Sequence, residues 1–549
     1  MNISSFKVSG QIVDVVTREI FQGTVAVRDG RIAEVVREET GETRYILPGL
    51  VDAHIHVESS MLIPSEFARL AVVHGTVASV SDPHEIANVL GREGVRFMIG
   101  NGRKVPFKFF FGAPSCVPAT PFETAGAQIT AGDIDELLGM EEVKYLSEMM
   151  NFPGVLRGDP IVMQKLAIAV KHGKPVDGHA PGLFGKEAAR YAAAGITTDH
   201  ECYSYREAVD KIKYGMTVQI REGSAARNFD DLAPLIREFP DRVMFCSDDK
   251  HPDDLVGGHI NRIVKKAISL GNDPLTVLRI ATLNPVKHYR LEVGLLKPSD
   301  PADFIVVDDL HDFGVIATYV GGVKVAGKGR TLLDHVEEKA VNRFDALAVT
   351  PEDLRVAASG SLVRVIQATE GQLLTPATVE KIDIENGYAV PAIDRDILKI
   401  SVMNRYGRTK PAVGFIKGFG LKRGALASTV AHDSHNIIAV GTNDGDMAAL
   451  INRLAEQKGG IGVTDGQHTL TLALPFAGIM SGEDGYAVAE TYGRLNGMAK
   501  SLGSPLAAPF MTLSFMALLV IPELKMSDRG LFDVNTFAFT DLFVRPEAG

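Results

Sequence analysis

From residue 6 to residue 46, apolar and polar positions roughly alternate. Phe6 and Val8 come first, Val13 and Val15 flank Asp14, and Val25, Val27, Ile32, Val35 and Val36 follow around an Asp29-Gly30 turn. Period-two alternation broken by turn residues predicts short antiparallel strands. The same signature returns at Ala302–Asp308 and Val320–Val325. Residues 1–46 and 291–345 are therefore expected to form one small composite β-domain. Between them, apolar runs at 47–56, 75–82, 107–113, 143–149, 174–179, 195–200, 216–222 and 243–248 alternate with helical periodicity, as at 85–104, 161–172, 186–194 and 254–270. Strand followed by helix, eight times over, predicts a (β/α)8 TIM-type barrel across 47–290 rather than an open sheet. After residue 346 the pattern restarts, with strands at 382–390, 398–402 and 412–418 and a helix at 444–457. This predicts a separate C-terminal α/β domain over 346–549, joined through a polar linker near 326–356.

Composition narrows the class of protein. At 549 residues the chain needs more than one core. A net charge of -11 argues against nucleic acid or an acidic membrane as the primary partner. Three scattered cysteines, Cys116, Cys202 and Cys246, fit neither a disulfide framework nor a CxxC metal site and suggest a reducing compartment. The N-terminus lacks an apolar leader core, and the most apolar stretch, 510–521, is too short to span a bilayer. A cytoplasmic enzyme is the expectation.

A barrel makes its active site at the C-terminal ends of its strands, and ionisable residues cluster at those ends. The first predicted strand ends in His54 and His56, which project from one face because side chains two apart in a strand point the same way. The second ends in Asp82, His84 and Glu85, the fourth in Glu148, the fifth in His179, the sixth in His200 and Glu201, the seventh in Arg221 and Glu222, and the eighth in Asp248. Only the third, with Pro114, Ser115 and Cys116, offers nothing charged. His54, His56, His179, His200 and Asp248 form a metal-ligand set suited to Zn, Fe or Mn. Glu148 reads as a bridge between two ions, and otherwise as a helix-start charge or a partner of a histidine. Lys144 begins the same strand and ranks below it. Asp82 before Pro83 fits a helix N-cap, a reading that leaves His84 between site and structure. Glu222 is expected to face the barrel mouth and bind an N–H of a heterocycle, against the alternative of a surface pair with Arg221. A second cluster, His432, Asp433 and His435, fits an extra metal site, a lid over the mouth or a self-satisfied turn.

The segments 51–61 (VDAHIHVESSM), 82–89 (DPHEIANV), 148–155 (EMMNFPGV), 177–182 (DGHAPG), 220–227 (IREGSAAR) and 432–437 (HDSHNI) resemble those of the bacterial and archaeal adenine deaminases of the amidohydrolase superfamily. The C-terminal region is similar to the extra domain of that family, down to 530–533 (GLFD) and 537–540 (FAFT). Glu148 stands where many members of the wider superfamily carry a bridging lysine. The resemblance implies hydrolysis of adenine to hypoxanthine and ammonia by a metal-activated hydroxide attacking C6. It implies two divalent ions, Mn2+ or Fe2+ ahead of Zn2+, and a homo-oligomer. On this reading His54, His56, Glu148 and Asp248 hold one ion, and Glu148, His179 and His200 the other. Asp248 shuttles the proton, with Glu148 able to share that duty, and Glu222 and His84 orient the purine. A hydrolase acting on another heterocycle or cyclic amide is the alternative.

Overall fold

A computed structural model describes residues 5–224, 226–372 and 374–544. Its centre is a ring of eight parallel strands. They are β1 (Leu50–Ile55), β2 (Thr76–Ser81), β3 (Lys108–Ala113), β4 (Val143–Met149), β5 (Val176–Gly178), β6 (Thr198–Asp199), β7 (Thr217–Arg221) and β8 (Val243–Cys246). Each falls within, or one residue from, a run expected from the sequence. β1 to β5 form one sheet and β6 to β8 another. Hydrogen bonds join the sheets at both seams: Thr197 N donates to Val176 O (2.8 Å) between β5 and β6, and Asp248 N donates to His54 O (2.9 Å) between β8 and β1. Side chains on β1 and β2 are buried throughout, as strands covered on both faces must be.

Two of the expected helices are each two. The helix expected over 85–104 is divided into His84–Leu90 and Arg92–Gly102, with Gly91 at φ +61° between them. The one expected over 254–270 is divided into Pro252–Gly257 and Ile260–Ser269, with Gly258 at φ +154°. Glycine reaches these backbone angles without a Cβ penalty, so a helical pattern that contains one can turn there. Asp82 is not itself the cap of its helix. The helix starts at His84, and the Asp82 side chain accepts from its N–H at 3.1 Å.

A second eight-stranded sheet draws on both flanks of the barrel. Its order is 330–331, 323–327, 315–320, 304–307, 45–48, 6–14, 19–28 and 31–37. Tyr45–Pro48 is the join, parallel to Phe6–Asp14 through Gln11 and Tyr45 and antiparallel to Phe304–Val307 through Leu47 and Ile305.

A third sheet of eight strands lies in the C-terminal part, with Leu398–Met403 paired to Ala412–Lys417 on one side and Ile437–Gly441 on the other. The expected strand over 382–390 is a hairpin, Asp383–Glu385 and Tyr388–Val390, turning at Asn386 (φ +50°) and Gly387 (φ +83°). This region shares a core with the barrel: one contiguous apolar cluster contains Val51 and Val80 together with Leu398, Leu426 and Met480. The polar stretch joining them is held in place at several points. His335 Nδ1 meets Glu66 at 2.8 Å, Lys104 Nζ meets Glu338 at 2.7 Å, and Asn342 Nδ2 donates to Lys458 O at 2.6 Å. No described helix is long and apolar enough to cross a membrane.

Candidate metal centre

The ends of β1, β4, β5, β6 and β8 deliver imidazoles and carboxylates to one point. His54, the penultimate residue of β1, and His56, just beyond it, bring their Nε2 atoms to 3.3 Å. Asp248 Oδ1 lies 3.5 Å from His54 Nε2 and 3.3 Å from His56 Nε2. Asp248 stands at φ +52°, a left-handed conformation that aspartate tolerates better than most residues. Its N–H donates to His54 O and its carbonyl accepts from His56 N (3.2 Å), so β1 fixes the turn that aims its carboxylate inward. Glu148, near the end of β4, divides its oxygens. Oε1 is 3.5 Å from His56 Nε2, whereas Oε2 is 2.8 Å from His179 Nδ1 and 3.2 Å from His200 Nε2. The His54 and His200 rings stack at 4.1 Å.

These atoms suit a cation. Ligands at about 2.0–2.2 Å from an ion stand about 3.0–3.5 Å from one another, the spacing of most of these pairs. Two Nε2 lone pairs aimed at the same point need something between them. Every member but His179 is buried, and several carboxylates share the space with the single guanidinium of Arg221. The crowded donors shift one another's titration. Burial by itself lowers His54, but the neighbouring carboxylates of Asp177 and Asp248 outweigh it and raise it to about 10. Glu148 is held well below the usual carboxylate range, burial notwithstanding, by His179 and His200. Neutral imidazole and ionised carboxylate are the forms in which these residues would hold a divalent ion. The nitrogen and carboxylate donors, with no thiolate, fit a divalent-metal centre.

Around the donors lies a second layer. Arg221 Nη1 donates to Glu201 and, at 2.6 Å, to Asp248 Oδ2, and its Nη2 reaches Glu201 Oε2 at 3.2 Å. His84 Nδ1 lies 3.5 Å from Glu148 Oε1 and 3.4 Å from Asp82 Oδ2 and has no hydrogen-bond partner. Ser115, in the loop after β3, donates to the Glu148 carbonyl at 2.5 Å. From the C-terminal region, His432 Nδ1 meets Glu85 Oε1 at 2.5 Å and His435 Nε2 pairs with Glu85 Oε2.

Of the residues expected from the sequence, His54, His56, Glu148, His179, His200 and Asp248 converge, with His84 beside them. Glu222 does not join them. Its carboxylate binds Lys266 Nζ at 3.2 Å. The neighbour Arg221 enters the cluster instead, because successive strand residues point to opposite faces. Expecting Glu222 at the mouth was off by one position in that alternation, and the same shift hid Arg221. An outward Lys266 on a helix 44 residues later leaves no local signal for the choice.

A parallel barrel with histidines and carboxylates gathered at its strand ends defines a hydrolase of the amidohydrolase family, whose pattern matches residues 45–325. Residues 372–538 match the adenine deaminase C-terminal domain. The chain is 55% identical to an adenine deaminase of Salinibacter ruber, covering 98% of this chain and 99% of that one. It is 51% identical to an adenine deaminase of Methanosarcina barkeri, covering 97% and 98%. The chain belongs to the adenine deaminase family.

Proposed function

We propose that this chain hydrolyses adenine to hypoxanthine and ammonia, with water replacing the amino group at C6. The observation that carries the reading is the convergence of six side chains from five strand ends, in a chain half identical along its length to adenine deaminases. His54, His56, Asp248 and Glu148 Oε1 would hold one divalent ion, and Glu148 Oε2, His179 and His200 a second. Mn2+ or Fe2+ ranks ahead of Zn2+. When bound, such ions act as Lewis acids that bring the pKa of water down towards neutrality.

The chain's own residues do the rest. Glu148 spans both donor groups and fixes their separation. Asp248 is assigned the proton transfer, from the attacking water towards N1 and the departing amine. Arg221 on its Oδ2 keeps it ionised and oriented. His84, with its free Nδ1, is assigned to the purine. Glu222, paired with Lys266, receives no substrate role. Residues 1–46 with 291–345, 47–290 and 346–549 are taken as the three structural units; the strand order of the composite sheet supports the first, and the third shares its core with the barrel. The assembly is taken to be a homo-oligomer, checked by light scattering.

Metal-reconstituted protein assayed for ammonia release should act on adenine and leave adenosine and cytosine untouched. No release from adenine with two ions bound per chain would overturn the reading. Asp248→Asn should keep the fold and lose at least about a thousandfold in turnover, toward the upper end of what a positioned acid–base group contributes. Near-normal turnover would remove Asp248 from the proton-transfer role.

A further inference from the structure

The segment Ala431–Asn436 comes from the C-terminal region and reaches the barrel's catalytic face. It is pinned along its length. His432 N donates to Ser514 O (3.1 Å), and its ring stacks on Phe515 at 4.8 Å. Tyr406 donates to the Ser434 carbonyl at 2.6 Å, and Asn436 Nδ2 donates to Thr124 O at 2.9 Å. His432 and His435 both close on Glu85, next to His84 in sequence. These contacts explain every side chain of the segment's polar run except two. Asp433 is 3% exposed and Ser434 2% exposed, yet Asp433 Oδ2 and Ser434 Oγ have no hydrogen-bond partner.

Asp433 is the harder of the two to leave unexplained. A buried carboxylate oxygen with no donor is expensive, and an ionised carboxylate can only accept. Burial raises its carboxyl to about 6 against the pull of nearby His84, with Glu85, His432 and Glu148 as further charges within reach. Its neighbours His432 and His435 close on Glu85, and His84 lies 3.5 Å from both Glu85 and Glu148, so the segment sets Asp433 beside the metal centre without joining its contacts. A ligand with an N–H edge is what this oxygen lacks, and a purine carries such an edge.

We propose that Asp433 is a substrate-binding carboxylate, supplied by the C-terminal region, that accepts a hydrogen bond from a ring N–H of the purine. The inference rests on the adenine reading above. It makes the C-terminal region part of the specificity site, because a site built to bind an N–H discriminates strongly against analogues that lack it.

The test is Asp433→Asn in the full-length, metal-loaded protein. The expected result is a fall of about 10- to 100-fold in kcat/KM for adenine, the range of a hydrogen bond to a charged group. Hypoxanthine binding, measured by titration calorimetry, should weaken in parallel, with two metal equivalents and the melting temperature retained. A kcat/KM and a hypoxanthine affinity within threefold of wild type would overturn the proposal. So would loss of a metal equivalent, which would make Asp433 a ligand instead. Should the amide variant not fold, Asp433→Ala is read by the same criteria. Inactive wild-type protein with both ions bound would count against the adenine reading, whereas an active wild type with an indifferent variant counts against Asp433 alone.

Discussion

Two buried clusters of imidazole and carboxylate adjoin through His84 and Glu85, and their spacing sets them apart. In the first, the facing donor atoms of His54, His56, His200, Glu148 and Asp248 stand 3.2–3.5 Å apart, wide enough for an ion, and His179 alone of the six comes closer, at 2.8 Å from Glu148. In the second, Glu85 meets His432 at 2.5 Å and is as tightly closed on His435. That cluster is closed from within by two short imidazole–carboxylate contacts. The same residue types thus make a metal centre where three or more donors face a shared gap, and a clamp where each donor already has its acceptor. The first cluster is built by the barrel alone, whereas the second ties the barrel to the C-terminal region.

Substitution in the first cluster is the strongest way to break this contrast. His56→Asn or His200→Asn should reduce bound metal below two equivalents and cut adenine turnover at least about a thousandfold, on the scale of losing an electrostatic stabiliser. Elemental analysis beside the ammonia assay checks it, and unchanged stoichiometry would put the gap's purpose in doubt. Glu85→Gln should behave differently. It removes the charge from the clamp, costing about 1.5–3 kcal/mol of stability for a charged hydrogen bond, read as a lowered denaturation midpoint, with metal content unchanged. Metal loss in this variant would mean that the two clusters are one site.

A smaller effect sharpens the picture at the clamp's edge. Glu123 is buried near Asp433, and burial, reinforced by the Asp433 charge, raises its carboxyl from 4.5 to about 8. Its folded form holds a proton that the unfolded chain releases above about 4.5, so its contribution to stability is full below that pH and lost as pH rises towards 8. Glu123→Gln should therefore match the wild type near pH 5 and exceed it near pH 9 in chemical denaturation. A constant difference across that range would refute the assignment.

Much of the catalytic face was legible in the chain because a barrel puts strand ends at the site. Once eight runs were counted, His54, His56, Glu148, His179, His200 and Asp248 followed. The positions on β7 were harder: alternation decides between Arg221 and Glu222, but which residue points inward depends on packing against Lys266. The glycines at 91 and 258 likewise gave no sign that they would divide helices rather than sit within them.

The sequence by itself determined the strand count, the composite sheet's two sources and the donors gathered at the strand ends, because period-two and helical patterns are local and the barrel's polarity is a topological rule. Only the tertiary structure decided which distant groups meet. Glu85 lies 347 residues from His432, and no local pattern encodes that their side chains close on each other. The division between open gap and closed clamp is a matter of an ångström or less, set by how the barrel and the C-terminal region pack around one core.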